Sequence, residues 1–144
     1  MSTHRPTTAL DDQRVPVRTT LAVAWASFVL LYLYVDFIAF YKPGVVDDIL
    51  DGIVWQFDVT PAWAVTALAL LAIPILMVVL SAILPARAGR ITNLAAVAIQ
   101  IPFAAFNAVG EIGTEWMPFY LLAIALEFFV LAVILRHAWT WPRT

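Results

Sequence analysis

Two carboxyl groups stand in stretches built to exclude water. Asp36 lies in LLYLYVDFIAFYKPG and Glu127 in LLAIALEFFVLAVIL, and neither run contains an Arg, or a Lys ahead of its end. An ionised side chain at the centre of a bilayer costs about 3 kcal/mol even on lenient insertion scales. Both groups are therefore expected as neutral acids with amide or phenol partners, or close to water. Two carboxyls in one dry pocket suit general acid–base work if their surroundings differ. Asn93, Gln100 and Asn107 recur every seven residues, and Glu111 follows one turn later. That spacing puts all four on one stripe of a helix. Tyr32 precedes Asp36 by one turn, and Tyr120 precedes Glu127 by two. The candidate ligand pocket is thus Tyr32, Asp36, Gln100, Asn107, Glu111, Tyr120 and Glu127. Glu127 and Asp36 are the candidate catalytic groups within it. Glu127 is the stronger of the two because it falls near mid-membrane, level with Gln100. Asp36, Asn107 and Glu111, with Tyr120, form an outer polar level.

Other chemistries find little support. The chain has no cysteine, and its two histidines, His4 and His137, lie in opposite tails. Disulfides, thiolate metal sites and His-rich metal or haem sites are excluded, so neither metal nor cofactor is expected. No phosphate loop or nucleophile triad is present. A net charge of −2 gives no reason to expect nucleic acid as a partner.

The elements that position these groups are membrane helices. Hydrophobic residues make up 63% of the chain and charged residues 12%, with a mean hydropathy of +0.91. A soluble domain is nearer half apolar and a quarter charged, so the natural solvent is the bilayer. A span needs about 20 apolar residues. Four segments qualify, at about 19–41, 61–84, 91–109 and 117–135. Lys42-Pro43-Gly44 stops the first, and Thr60-Pro61 opens the second with a capping hydroxyl and a first-turn proline. Pro85 closes the second span, and PARAGR is expected as the short turn to the third. Pro74 and Pro102 fall inside spans, where each removes a backbone hydrogen bond.

In the first outer loop, Val46, Ile49, Leu50, Ile53 and Phe57 share one helical face, and Asp47, Asp48 and Asp51 share the other. This predicts an amphipathic interfacial helix over about 45–57. Its acidic face reads as solvated rather than cation-binding. Residues 1–16 have no apolar period and are expected to form a disordered cytoplasmic tail, followed by a transmembrane domain over 17–142. The long polar leader and full-length first span predict that the N-terminus is not a cleaved signal. Arg5, Arg14, Arg18, Arg87, Arg90, Arg136 and Arg143 fall on one side of a four-span chain, and Lys42 alone on the other. The positive-inside rule then predicts a multi-pass cell-membrane protein with both termini cytoplasmic.

The fold class expected is an all-α, up-down-up-down four-helix transmembrane bundle. The third span should be central, with its amide stripe inward and Ala96 and Ala104 allowing close helix approach. Facing stripes are Trp25, Val29, Tyr32 and Asp36 on the first span, and Tyr120, Ala123, Ile124, Glu127 and Leu131 on the fourth.

The stretches YLYVDFIAFYKPG, AIPILMVVLSAILPARAGRITN and AWTWP resemble a family of small bacterial four-span membrane proteins of unknown function. The matching Tyr-x-Asp element ahead of Pro-Gly is Tyr34, Asp36, Pro43 and Gly44. More loosely, the layout is similar to DoxX-like four-helix membrane proteins, some linked to quinone or thiol redox. The family implies the fold and no activity.

Three functions are open to such a chain. The first is a non-enzymatic membrane protein, either an accessory subunit or a binder of a small lipophilic molecule. The second is an enzyme acting on a quinone or isoprenoid with Asp36 and Glu127 as acid and base. The third is proton-coupled transport, which four spans would support only as a homo-oligomer or in a membrane complex. The expected partners are the lipid bilayer and a lipophilic small molecule.

Overall fold

Prolines and glycines set the boundaries of the elements. The computed structural model describes residues 13–142, so most of the expected tail, with His4, Arg5 and Arg143, lies outside the described residues. In chain order the elements are α1 (Val17–Ala39), α2 (Val45–Leu50), β1 (Ile53–Val54), β2 (Phe57–Asp58), α3 (Pro61–Ile83), α4 (Ala86–Val109) and α5 (Met117–Trp139). Helix α3 opens as its sequence predicts, with Trp63 N–H donating to Thr60 Oγ1 at 3.1 Å and Pro61 in the first turn. Beyond α1, Gly44 takes φ +86°, a conformation glycine adopts without steric cost.

Helices α1, α3, α4 and α5 are each long and apolar enough to cross a membrane. Two of them are longer than hydropathy indicates. Helix α4 starts at Ala86 rather than 91, so Arg87 and Arg90 lie in its first turns and the turn shrinks to Leu84–Pro85. Helix α5 runs to Trp139 rather than 135. Arg136 and His137 occupy its last turn, where positive charge complements the helix dipole.

The loop helix is shorter than expected. It ends at Leu50 instead of extending to 57, and its φ of +79° at Gly52 turns the chain into a two-stranded hairpin. Ile53 pairs with Asp58 and Val54 with Phe57. Trp55, at the hairpin tip, has φ +56°, a conformation that costs a non-glycine residue on the order of 1–3 kcal/mol. Packing holds it there. Its ring lies edge-on to Phe106 with centroids 5.7 Å apart. A Cβ added to Gly110 would come within 2.7 Å of Trp55 Nε1, so the indole seats against bare backbone. Val46, Ile49 and Leu50 of α2 remain exposed, Leu50 at 79%.

The four long helices alternate in direction. Helix α1 packs on α3 and α5, and α4 packs closely on α5 but more sparsely on α3. The helices therefore form a ring in the order α1, α3, α4, α5, with α1 and α4 across the diagonal. The core is formed by Leu21, Trp25 and Phe28 of α1, Met77 of α3, Val97 of α4, and Leu131 and Ile134 of α5. Helix α4, expected as the most buried, shares that place with α1, and α3 is the least buried. Val65, Leu68, Ile75 and Val79 of α3 face outward, as suits a surface solvated by lipid. One end of the bundle carries the α1–α3 connection and the α4–α5 turn, and is called the loop end below. The other carries the start of α1, the α3–α4 turn and the finish of α5, and is called the terminal end.

Candidate ligand cavity

The buried polar groups divide into a satisfied set and an unsatisfied one. Near the terminal end, Asn93 is fully buried and joins three helices. Its Oδ1 accepts from Trp25 Nε1 of α1 at 2.7 Å and from Ser81 Oγ of α3 at 3.2 Å. Its Nδ2 donates to Gly89 O one turn back, at 2.8 Å. Every polar atom of the Asn93 side chain therefore has a protein partner, which marks a packing role. Ser81 is the sole hydrogen-bonding side chain buried on α3.

Toward the loop end the pattern changes. Helices α1, α4 and α5 enclose a cavity of about 170 Å³. Helix α1 contributes Tyr32, Val35, Asp36 and Ala39; α4 contributes Ala104, Asn107 and Ala108. Helix α5 contributes Tyr120, Ala123, Ile124 and Glu127. The alanines make the space, because no longer side chain fills it. Glu127 is 3% exposed and forms the inner wall, whereas Asp36 and Asn107 are exposed at the mouth. Asn107 Nδ2 donates to Tyr32 Oη at 3.1 Å, and Tyr32 stacks on Phe103 with ring centroids 6.0 Å apart. Among the described residues, neither Asp36 nor Glu127 makes a side-chain hydrogen bond or ion pair.

The cavity thus gathers Tyr32, Asp36, Asn107, Tyr120 and Glu127 and leaves two of the expected pocket residues outside it. Gln100 lies two turns before Asn107, about 10 Å along the helix. It is sealed in the core, and its Oε1 has no hydrogen-bond partner. It does not line the cavity, whose wall on α4 begins one turn later at Ala104. Glu111 lies past the end of α4, where the Lys42 ammonium pairs with it. Thr114 Oγ1 also donates to Glu111, at 3.0 Å.

Lys42 is a neighbour of the cavity that sequence reasoning missed. Its Nζ sits 5.9 Å from the centroid of the Tyr120 ring, at the loop-end rim of the cavity. The only advance signal was that it is the one basic residue of the loop end.

A second hollow of about 190 Å³ lies between α4 and α5. Its walls are almost wholly apolar, among them Ala105, Val109, Leu121 and Phe128. It shares Ala108, Tyr120 and Ile124 with the polar cavity, so the two spaces adjoin at those residues.

Among the described residues, no cluster of three or more His, Asp or Glu side chains could hold a metal ion. His137, near the terminal end, turns a ring nitrogen to Val133 O of its own helix at 2.8 Å.

Neither a curated protein nor a solved structure matches the chain. Residues 11–144 match a family of unknown function (DUF6326), and the chain, four apolar helices around a mostly apolar core, belongs to that family.

Proposed function

We propose that the bundle binds a small lipophilic molecule carrying a polar group, in the cavity between α1, α4 and α5, and that it does so as a binding protein rather than an enzyme. One observation carries this reading. The polar groups that serve packing, around Asn93, are bonded to one another. The carboxyls of Asp36 and Glu127 instead turn toward open space without protein partners. Glu127 is the buried one of the two, a buried polar group left without a bond costs about 1–3 kcal/mol, and a ligand that supplies the bond recovers that cost. The volume fits a small group, since a cavity of about 150 Å³ accommodates benzene.

The test is extraction. Protein purified from membranes should yield a stoichiometric lipophile on solvent extraction, identified by mass spectrometry. Ala123→Phe, which fills the cavity from its buried wall, should release it while the bundle still folds. Empty wild-type protein would refute the reading.

An acid–base reading draws on the same geometry, because both carboxyls line one cavity. It differs in consequence. A binder keeps much of its affinity in Glu127→Gln, which retains shape and hydrogen bonding, whereas an enzyme turning over the bound molecule would stop.

We also propose that the terminal end is cytoplasmic. Arg14, Arg18, Arg87, Arg90 and Arg136 gather there, while the loop end has Lys42 as the one Lys or Arg of the described residues, and Glu111 pairs with it.

A further inference from the structure

We infer that the ligand is a single-chain amphiphile with a cationic amine head, the head seated between Asp36 and Glu127 and the tail in the apolar hollow between α4 and α5. This rests on the cavity being a binding site.

The head follows from the donors and acceptors present. Asp36 and Glu127 bring carboxyl oxygens that no protein donor satisfies. The amide of Asn107 is spent on Tyr32, which leaves its Oδ1 as one further acceptor. The cation that approaches, Lys42, is held by Glu111 at the rim. The cavity therefore has acceptors in excess and lacks a positive charge. An anionic head would bring negative charge to a dry site whose neighbouring cation, Lys42, is already paired. A neutral head would leave both acids without the positive partner that lets a carboxyl ionise in a dry site. An ammonium supplies both donors and charge, and the rings of Tyr32 and Tyr120 offer it aromatic faces. The volume restricts the head to a primary or methylated amine and excludes sugars and nucleotides.

The tail follows from continuity. The second hollow touches the cavity through Ala108, Tyr120 and Ile124, and its remaining walls are apolar apart from Glu111, which is already paired. A chain attached to a head beside Glu127 passes Tyr120 and lies along Ala105, Val109 and Leu121. That hollow opens on the outer face of the bundle, where Val109 and Leu121 are 53% and 54% exposed.

The experiment uses full-length protein in nanodiscs of phosphatidylcholine, with n-decylamine, n-decanol and n-decanoate as probes of equal tail. Binding is read from the rise in unfolding temperature with concentration. Decylamine should bind best. Asp36→Asn/Glu127→Gln should weaken it roughly tenfold or more, the loss expected for charge-assisted hydrogen bonds. Each single variant should give part of that loss, and serves if the double variant fails to fold. Ala105→Trp, which fills the outer hollow, should abolish the advantage of decylamine over butylamine. Decanol or decanoate binding as well as decylamine, displaced by Ala123→Phe, would overturn the amine head and leave the cavity reading standing. No probe binding, or binding indifferent to Ala123→Phe, would overturn both. Equal decylamine binding with and without the two carboxyls would reduce the effect to partition into the bilayer and end the proposal.

Discussion

Replacing Asn93 with alanine should be among the most damaging single changes to this bundle. The substitution removes three hydrogen bonds, at 2.7, 2.8 and 3.2 Å. They are not equal. Ser81 Oγ can turn to a carbonyl of its own helix, as serines in helices do. Gly89 O retains its place in the backbone ladder. Trp25 Nε1 has no substitute, since the indole is fully buried among Leu21, Phe28 and Ile134. A stranded buried donor costs about 1–3 kcal/mol. Interhelical hydrogen bonds measured in a membrane protein average only about 0.6 kcal/mol, with a maximum near 1.7. The expected loss is therefore about 2 kcal/mol, most of it from the indole. Reversible unfolding in mixed micelles, titrated with dodecyl sulfate, measures it. Trp25→Phe removes the donor and keeps a ring, so the double variant Trp25→Phe/Asn93→Ala should fall short of additivity by about 1 kcal/mol. If the two changes add within about 0.4 kcal/mol, or if Asn93→Ala costs no more than Asn107→Ala, the three-helix junction is not what holds the terminal end together.

Four further outcomes are expected. Lys42→Met and Glu111→Gln should each cost about 1 kcal/mol, the upper range for a partly exposed pair, and the exchange Lys42→Glu/Glu111→Lys should recover most of it in the same unfolding assay. Gly110→Ala should drive the Trp55 indole back from 2.7 Å to beyond 3.4 Å, seen as faster amide exchange over residues 52–58 while α1 and α5 keep their protection. Leu131→Ala, at a site 1% exposed, should cost about 2–5 kcal/mol, and Leu68→Ala, 66% exposed on α3, less than about 0.5 kcal/mol. A cysteine at Asp48 should react with an impermeant thiol reagent in intact cells and one at Ala86 should not; the reverse labelling would invert the proposed topology.

The spans were legible because a bilayer demands a length of apolar chain that hydropathy reads directly. Their ends were less so, since a helix can continue through Arg87 and Arg90 or Arg136 and His137 where charge meets water. Pro85 gave the true start of α4, and a reading led by hydropathy set it aside. In the loop, Val46, Ile49 and Leu50 follow a helical period that Ile53 and Phe57 continue by coincidence; Gly52 was the break. Asp36 and Glu127 stood out as acids in apolar runs, and the stripe through Asn93 pointed inward as far as Gln100 and Ala104, with Asn107 exposed at the mouth. The partners were not legible. Lys42 and Glu111 are 69 residues apart, and Trp25 and Asn93 are 68. Which groups meet depends on the order of helices around the ring, and no local period encodes that order. Gln100 shows the limit: its stripe is right, yet the cavity stops one turn short of it.

The sparse contact between α3 and α4 divides the chain into two hairpins, α1 with α3 and α4 with α5, meeting at the break between Leu84 and Pro85. Within each hairpin the long helices join through apolar packing. Among the described residues, every side-chain hydrogen bond or ion pair that links different elements crosses from one hairpin to the other: Trp25 and Ser81 to Asn93, Tyr32 to Asn107, and Lys42 to Glu111. Lipid tails compete with apolar side chains on nearly equal terms, so apolar packing alone says little about which hairpin belongs with which. The polar contacts act as a password between the halves. Their order is the same along α1 and α4, which permits one register, and a hairpin from another membrane protein would have to desolvate Asn93 and Lys42 without an answer. The cavity forms only once that recognition succeeds, because α1 supplies one wall and α4 and α5 the others.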